Sequence, residues 1–298
     1  MTQQPAPQRN FLAAVFLSPD EPRLRAGWRL LLQTLLLVLI GIPVSLVAFL
    51  IQTGESAASI LNQILNLIAI TGSIYIARRW LDKRSFESLG LTLNRQTWID
   101  LAAGIGITFV QMGLVFVAML GLGWLTFSGF AWEFDPIGLV IQQVVLFFVI
   151  FIFVGWNEEL LSRGYHLQTL ASGTSLFWGT IISSAVFGLL HLGNPNATWV
   201  SAAGIFFAGI FLAYGYIRTK QLWLSIGLHI GWNFFEGVGF GFPVSGLDIY
   251  PLVRIQVTGP ELWTGGAFGP EAGLIVLPAL LVGCLLIYWF TMDRVAAE

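Results

Sequence analysis

Eight apolar stretches, each close to the roughly 20 residues a helix needs to cross a bilayer, dominate the chain: 29–51, 57–77, 99–125, 137–161, 176–191, 199–217, 222–240 and 274–291. Inside hydrocarbon every backbone amide must be satisfied by its own segment or by a closed barrel, so runs of this length specify helices. The expected fold class is all-α: a polytopic membrane helix bundle with about eight transmembrane helices. Charge supports this, because only 10% of residues are charged, against about 25% in ordinary soluble domains.

Lys and Arg give the expected direction. With both termini in the cytoplasm, thirteen of the fourteen basic residues fall on or near the inner side and only Arg254 lies outside, the asymmetry that sets orientation. Nothing resembles a basic stripe for nucleic acid, so no nucleic-acid partner is expected. The lone cysteine, Cys284, falls in the last span, which leaves no disulfide framework and no cysteine-rich metal site. "FLAAVFL" near the N-terminus stops at Pro19 and lacks a small-residue cleavage site; residues 1–28 therefore read as an interfacial segment rather than a removed signal. One integral membrane domain, 1–298, is the simplest organisation. The hydrophilic segment 78–96 reads as a loop, and 241–273, rich in Gly and Pro, as a packed outer loop over the cavity with no part in catalysis.

Polar residues in the spans are the informative ones. Asn62, Gln63, Asn66 and Gln111 read as interhelical hydrogen-bonding groups. Ionisable residues gather within 158–236: Glu158 and Glu159 follow a span, and two of the three histidines, His191 and His229, lie in spans. An acid at the centre of a membrane helix costs roughly 2.5 to 3.5 kcal/mol on insertion scales, so such groups pair or line a polar cavity. His166 reads as a surface residue at the cytoplasmic end.

Helix spacing separates the two acids. Glu159 and Arg163 stand four apart in the favourable acid-before-base order and can pair along one face. Glu158 points about 100° away and lacks that cation. It is read as the general base, with Glu159 and Arg163 in support. His229 and Asn233 share a helix face and offer two donors aimed at one point, which a developing oxyanion needs. Glu236 falls on nearly the same face, higher, where it reads as lining the cavity mouth. Gly227 and Gly231 flank His229 at four-residue spacing and predict close helix packing. Helix rise allows Glu158, His191 and His229 to meet in the inner leaflet.

"EELLSR" (158–163), "FGLLH" (187–191) and "HIGWN" (229–233), in this order on predicted membrane helices, resemble the motifs E-E-x-x-x-R, F-x-x-x-H and H-x-x-x-N of the CAAX protease and bacteriocin-processing family of intramembrane peptidases. The resemblance covers a peptidase core at about 138–240. It implies an intramembrane endopeptidase acting on a membrane-embedded or lipidated peptide, in a bacterial or archaeal plasma membrane with the site toward the cytoplasmic leaflet. It also implies that Glu158 and His191 activate a water while His229 and Asn233 stabilise the oxyanion. The family has long been labelled a metalloprotease. Glu159, His191 and His229 are the candidate ligands for zinc or another divalent metal, although no H-E-x-x-H pair is present; the preferred reading requires no cofactor. Two other classes stay open: a non-catalytic membrane scaffold or immunity protein, and a proton-coupled transporter, for which the two halves of the chain lack matching broken helices.

Overall fold

A computed structural model describes residues 11–50 and 55–295. Its order is α1 (Phe11–Phe16), α2 (Ala26–Leu50), α3 (Glu55–Ile76), α4 (Arg95–Gly121), β1 (Leu125–Phe130), α5 (Ile137–Glu159), α6 (Leu167–Gly173), α7 (Leu176–Leu190), α8 (Trp199–Thr219), α9 (Trp223–Asn233), β2 (Val253–Val257), α10 (Glu261–Thr264) and α11 (Val276–Val295). Seven of the helical segments among the described residues are long and apolar enough to cross a membrane. The chain is an integral membrane protein built as an all-α bundle.

The eighth expected span, 222–240, differs. It is the eleven-residue α9 continued by a wide turn, Phe234–Gly239, too short to count by length. Every residue of α9 beyond Trp223 is buried, since α4, α5 and α8 surround it. A helix wrapped by protein escapes the length that lipid imposes on its neighbours.

Close approach of α4 and α9 follows from glycine. A Cβ on Gly227 would collide with the carbonyl of Leu101, and one on Gly231 with Thr108 and the Cα of Ile105, so the packing predicted around His229 is present. Leu101 lies opposite Gly227 and Ile105 opposite Gly231, so the two helices run in the same direction. Gln111 makes the interhelical bond expected of it, Nε2 donating to Ala279 O at 2.8 Å.

At one end of the bundle, Arg29 and Arg78 converge on Asp82, with Arg78 Nη1 at 3.0 Å from Oδ2. Arg29 also donates to Ser172 Oγ at 2.6 Å. All three charged side chains are buried, and such groups are tolerated because each has a partner. The segment 78–96 is thus a paired, partly buried clamp holding α2 to α3 and α6, and not a free loop. Arg294 Nη1 reaches Asp100 at the start of α4, 2.8 Å away, which places the end of α11 at this same end.

At the other end β1 and β2 form an antiparallel pair from Leu125↔Val257 to Phe130↔Val253, with a bulge between Phe127 and Gly129. β2 lies inside the 241–273 segment expected to be a packed outer loop. Of the expected interfacial segment, residues 1–10 fall outside the described residues; α1 exposes Phe11 and Leu12.

Candidate active site

Glu158 and Glu159 close the regular part of α5, and the chain then widens into a turn over Leu160–His166 before resuming as α6. Asn233 likewise ends α9 just before the wide turn at Phe234. Wide turns of this kind inside helices often mark functional positions, because they re-aim the side chains beside them.

Glu159 is fully buried and its Oε1 accepts from Arg163 Nη1 at 2.6 Å, the pairing that the four-residue spacing predicts. The same oxygen meets His229 Nδ1 at 2.8 Å. Glu159 therefore holds the imidazole of another helix as well as its own arginine. Arg163 also donates from Nη2 to Gly209 O at 3.0 Å, and its guanidinium lies 4.3 Å from the Phe187 ring centroid. Phe187 contributes twice more: its carbonyl accepts from His191 Nδ1 at 2.8 Å, and its ring packs on both His191 and His229.

With both Nδ1 atoms engaged, both Nε2 atoms turn to Glu158. Glu158 Oε2 lies 3.8 Å from His191 Nε2 and 3.7 Å from His229 Nε2. These separations exceed direct hydrogen bonds and suit a bridging molecule. Glu158, His191, His229 and Asn233 line one cavity of about 530 Å³. Glu158 keeps a third of its side chain accessible (34%), whereas Glu159 keeps none.

The expected metal set does not converge as named. Glu159 turns to Arg163 and His229 Nδ1, on the far side of the His229 ring from the Nε2 that faces Glu158 and His191. Among the described residues no group of three His, Cys, Asp or Glu is arranged to hold a metal ion.

Several expectations are corrected. Glu236 is fully buried with neither carboxylate oxygen hydrogen-bonded, and does not line the cavity mouth. His166 is half-buried rather than a surface residue, since the rod from Ile137 to Gly173 is continuous and packs against its neighbours. The 241–273 segment supplies Ser245 and Glu271 to the cavity wall, which sequence reasoning missed. Glu271 accepts from Trp232 Nε1 at 3.0 Å and Ser245 Oγ at 2.5 Å. Burial pushes its carboxyl above the usual range, against the opposing effect of the Ser245 bond. A Cβ on Gly204 of α8 would collide with the Glu271 carbonyl. The one signal in the sequence was length: a connection above 30 residues exceeds what packing alone needs.

Residues 140–235 match the family described as Type II CAAX prenyl endopeptidase Rce1-like. A protein of Bacillus subtilis (strain 168) named "Putative membrane peptidase YdiL" is 35% identical over 130 residues, covering 43% of this chain and 49% of that protein. The match thus spans about half the length of the relative. All three motifs lie within the residues that are similar to the Rce1-like CAAX peptidase family, and their side chains meet in one cavity.

Proposed function

We propose that the protein is an intramembrane endopeptidase that hydrolyses a peptide bond of a membrane-associated or lipidated peptide. The observation that carries this reading is the placement of Glu158 Oε2 at 3.8 and 3.7 Å from the two imidazole Nε2 atoms, in the cavity that Asn233 also lines. A water held between them gives its proton to Glu158 while its oxygen attacks the scissile carbonyl carbon. The carbonyl oxygen becomes an oxyanion, which His229 Nε2–H and the Asn233 carboxamide stabilise. The Glu159 carboxylate on Nδ1 supports the positive charge of the His229 ring during this step. As the C–N bond breaks, the proton on Glu158 passes to the leaving amine, and the products are a carboxylate and an amine. His191, locked by the Phe187 carbonyl, orients the water.

The test uses protein reconstituted in liposomes with a library of palmitoyl-anchored, internally quenched decapeptides. Glu158→Gln reduces cleavage at least about 100-fold while insertion and folding persist; retained cleavage overturns the assignment. In the preferred reading activity survives dialysis against a strong chelator. Loss of activity on chelation, restored by added zinc, replaces this reading with metal activation of the water.

A further inference from the structure

We propose that Ser59, Asn62 and Gln63 of α3 form a backbone-binding wall that holds the substrate as an extended strand on its way to Glu158. This deepens the hydrolytic reading above and rests on it. These three residues line the same cavity as Glu158, His191 and His229. On a helix they fall on one face, and Asn66 continues it. Asn62 and Asn66 are exposed and Gln63 is half-buried, within a segment of membrane-crossing length, Ala58–Leu81.

The sequence predicts that these amides glue helices together. The structure gives the Asn62, Gln63 and Asn66 side chains no hydrogen-bond partner among the described residues. An unsatisfied carboxamide at membrane depth is costly, so the Asn62 and Gln63 carboxamides, which face the cavity, call for an occupant with matching groups. A carboxamide both donates and accepts, which fits the N–H and C=O of an unfolded peptide better than a charged headgroup or an acyl chain.

Spacing agrees with a strand. Ser59 and Gln63 are four residues apart, about 6 Å along the helix. Backbone groups on one edge of an extended chain recur every two residues, about 6.6 Å. Distance to the chemistry also agrees. Trp156 Nε1 donates to Thr71 Oγ1 at 3.0 Å, and Ile60 packs against the cluster of Ile150, Phe151 and Val238, so α3 and α5 run side by side in the same direction. Gln63 lies eight residues before Thr71 and Glu158 two after Trp156. The wall is thus about 15 Å from Glu158 along the helices, a length that four to five extended residues cover. A helix cannot be cut while its backbone bonds are closed, and a wall of amides compensates a peptide for opening them.

Two measurements separate this inference from the hydrolytic reading. In the first, a photo-crosslinking residue replaces Gln63 in Glu158→Gln protein, with Ile68 replaced as the control. In bilayers carrying the palmitoyl-anchored decapeptides, the expected result is a peptide adduct at 63 and none at 68. Adducts only with phospholipid, or equal peptide adducts at both positions, overturn the wall. In the second, Asn62→Leu/Gln63→Leu raises KM about tenfold or more, the factor two neutral hydrogen bonds carry, with kcat within about twofold. The swapped pair Asn62→Gln/Gln63→Asn keeps the carboxamides and restores KM to within about threefold. Unchanged KM in the leucine variant overturns the wall even where cleavage is normal. Peptide adducts at 63 in a protein that hydrolyses no peptide leave the wall standing and remove the hydrolytic reading.

Discussion

Glu158 and Glu159 are neighbours with opposite environments, and the difference predicts opposite responses to substitution. Glu159 neutralises a buried Arg163 and holds His229. Truncating it strands a buried cation, so Glu159→Ala lowers stability by about 3 to 5 kcal/mol, read as a drop in the thermal unfolding midpoint in detergent. Glu158 pairs with no Arg or Lys among the described residues and stays a third accessible, so Glu158→Gln changes stability by no more than about 0.5 kcal/mol while removing activity. Equal destabilisation by the two variants contradicts this division of labour. The four-residue spacing to Arg163 and the 100° turn between the acids were legible in the sequence. The bond from Glu159 to His229 was not, because a contact between residues seventy positions apart leaves no mark in local spacing. Glu271 was hidden for a similar reason: a carboxylate in a Gly- and Pro-rich connection reads as solvated until the fold folds it inward.

At the level of elements, the site depends on how closely α4 approaches α9. Gly231 sits between His229 and Asn233 and faces Ile105 and Thr108 with no room for a Cβ. Gly231→Val must push the helices apart, at about 1 to 3 kcal/mol for overpacking, and shifts His229 and Asn233, the two groups proposed to stabilise the oxyanion. The expected outcome is a lower unfolding midpoint together with loss of peptide cleavage. Gly106, on α4, has open space where a Cβ would go; Gly106→Ala is neutral or stabilises by up to about 1 kcal/mol, and serves as the control. An unaffected Gly231→Val protein refutes the packing argument. The glycine spacing announced this contact. The wide turns after Glu159 and Asn233 were not announced, since both sequences run on into apolar pairs, Leu160–Leu161 and Phe234–Phe235, and the register change is imposed by tertiary packing. The pairing of β1 with β2 was equally unreadable: LTFSGF and VRIQV are short mixed segments, and their few alternating positions do not name a partner so distant in the chain.

For the whole molecule, length and connectivity count the crossings differently. α9 and its wide turn are short, yet Leu222 N donates to Gly90 O at one end of the bundle, while β2 pairs with β1 beyond the far end of α4. The chain from 222 to 253 therefore traverses the thickness that α4 traverses. A reading with eight traverses returns the start of α2 and the end of α11 to one end, in line with the contacts of Arg29 and Arg294. That end carries nearly all the basic residues, including Arg78, Arg79, Lys83, Arg84, Arg218 and Lys220, whereas Arg254 sits on β2 at the other. We propose, from the positive-inside bias, that the basic end faces the cytoplasm. With Cys284 replaced by alanine, a single cysteine at Ser128 is expected to react with a membrane-impermeant maleimide on intact cells, and one at Ser85 only after permeabilisation. The reverse pattern inverts the orientation and moves the entrance of the peptide wall to the opposite leaflet. Labelling of both positions from outside is incompatible with eight traverses of one bilayer.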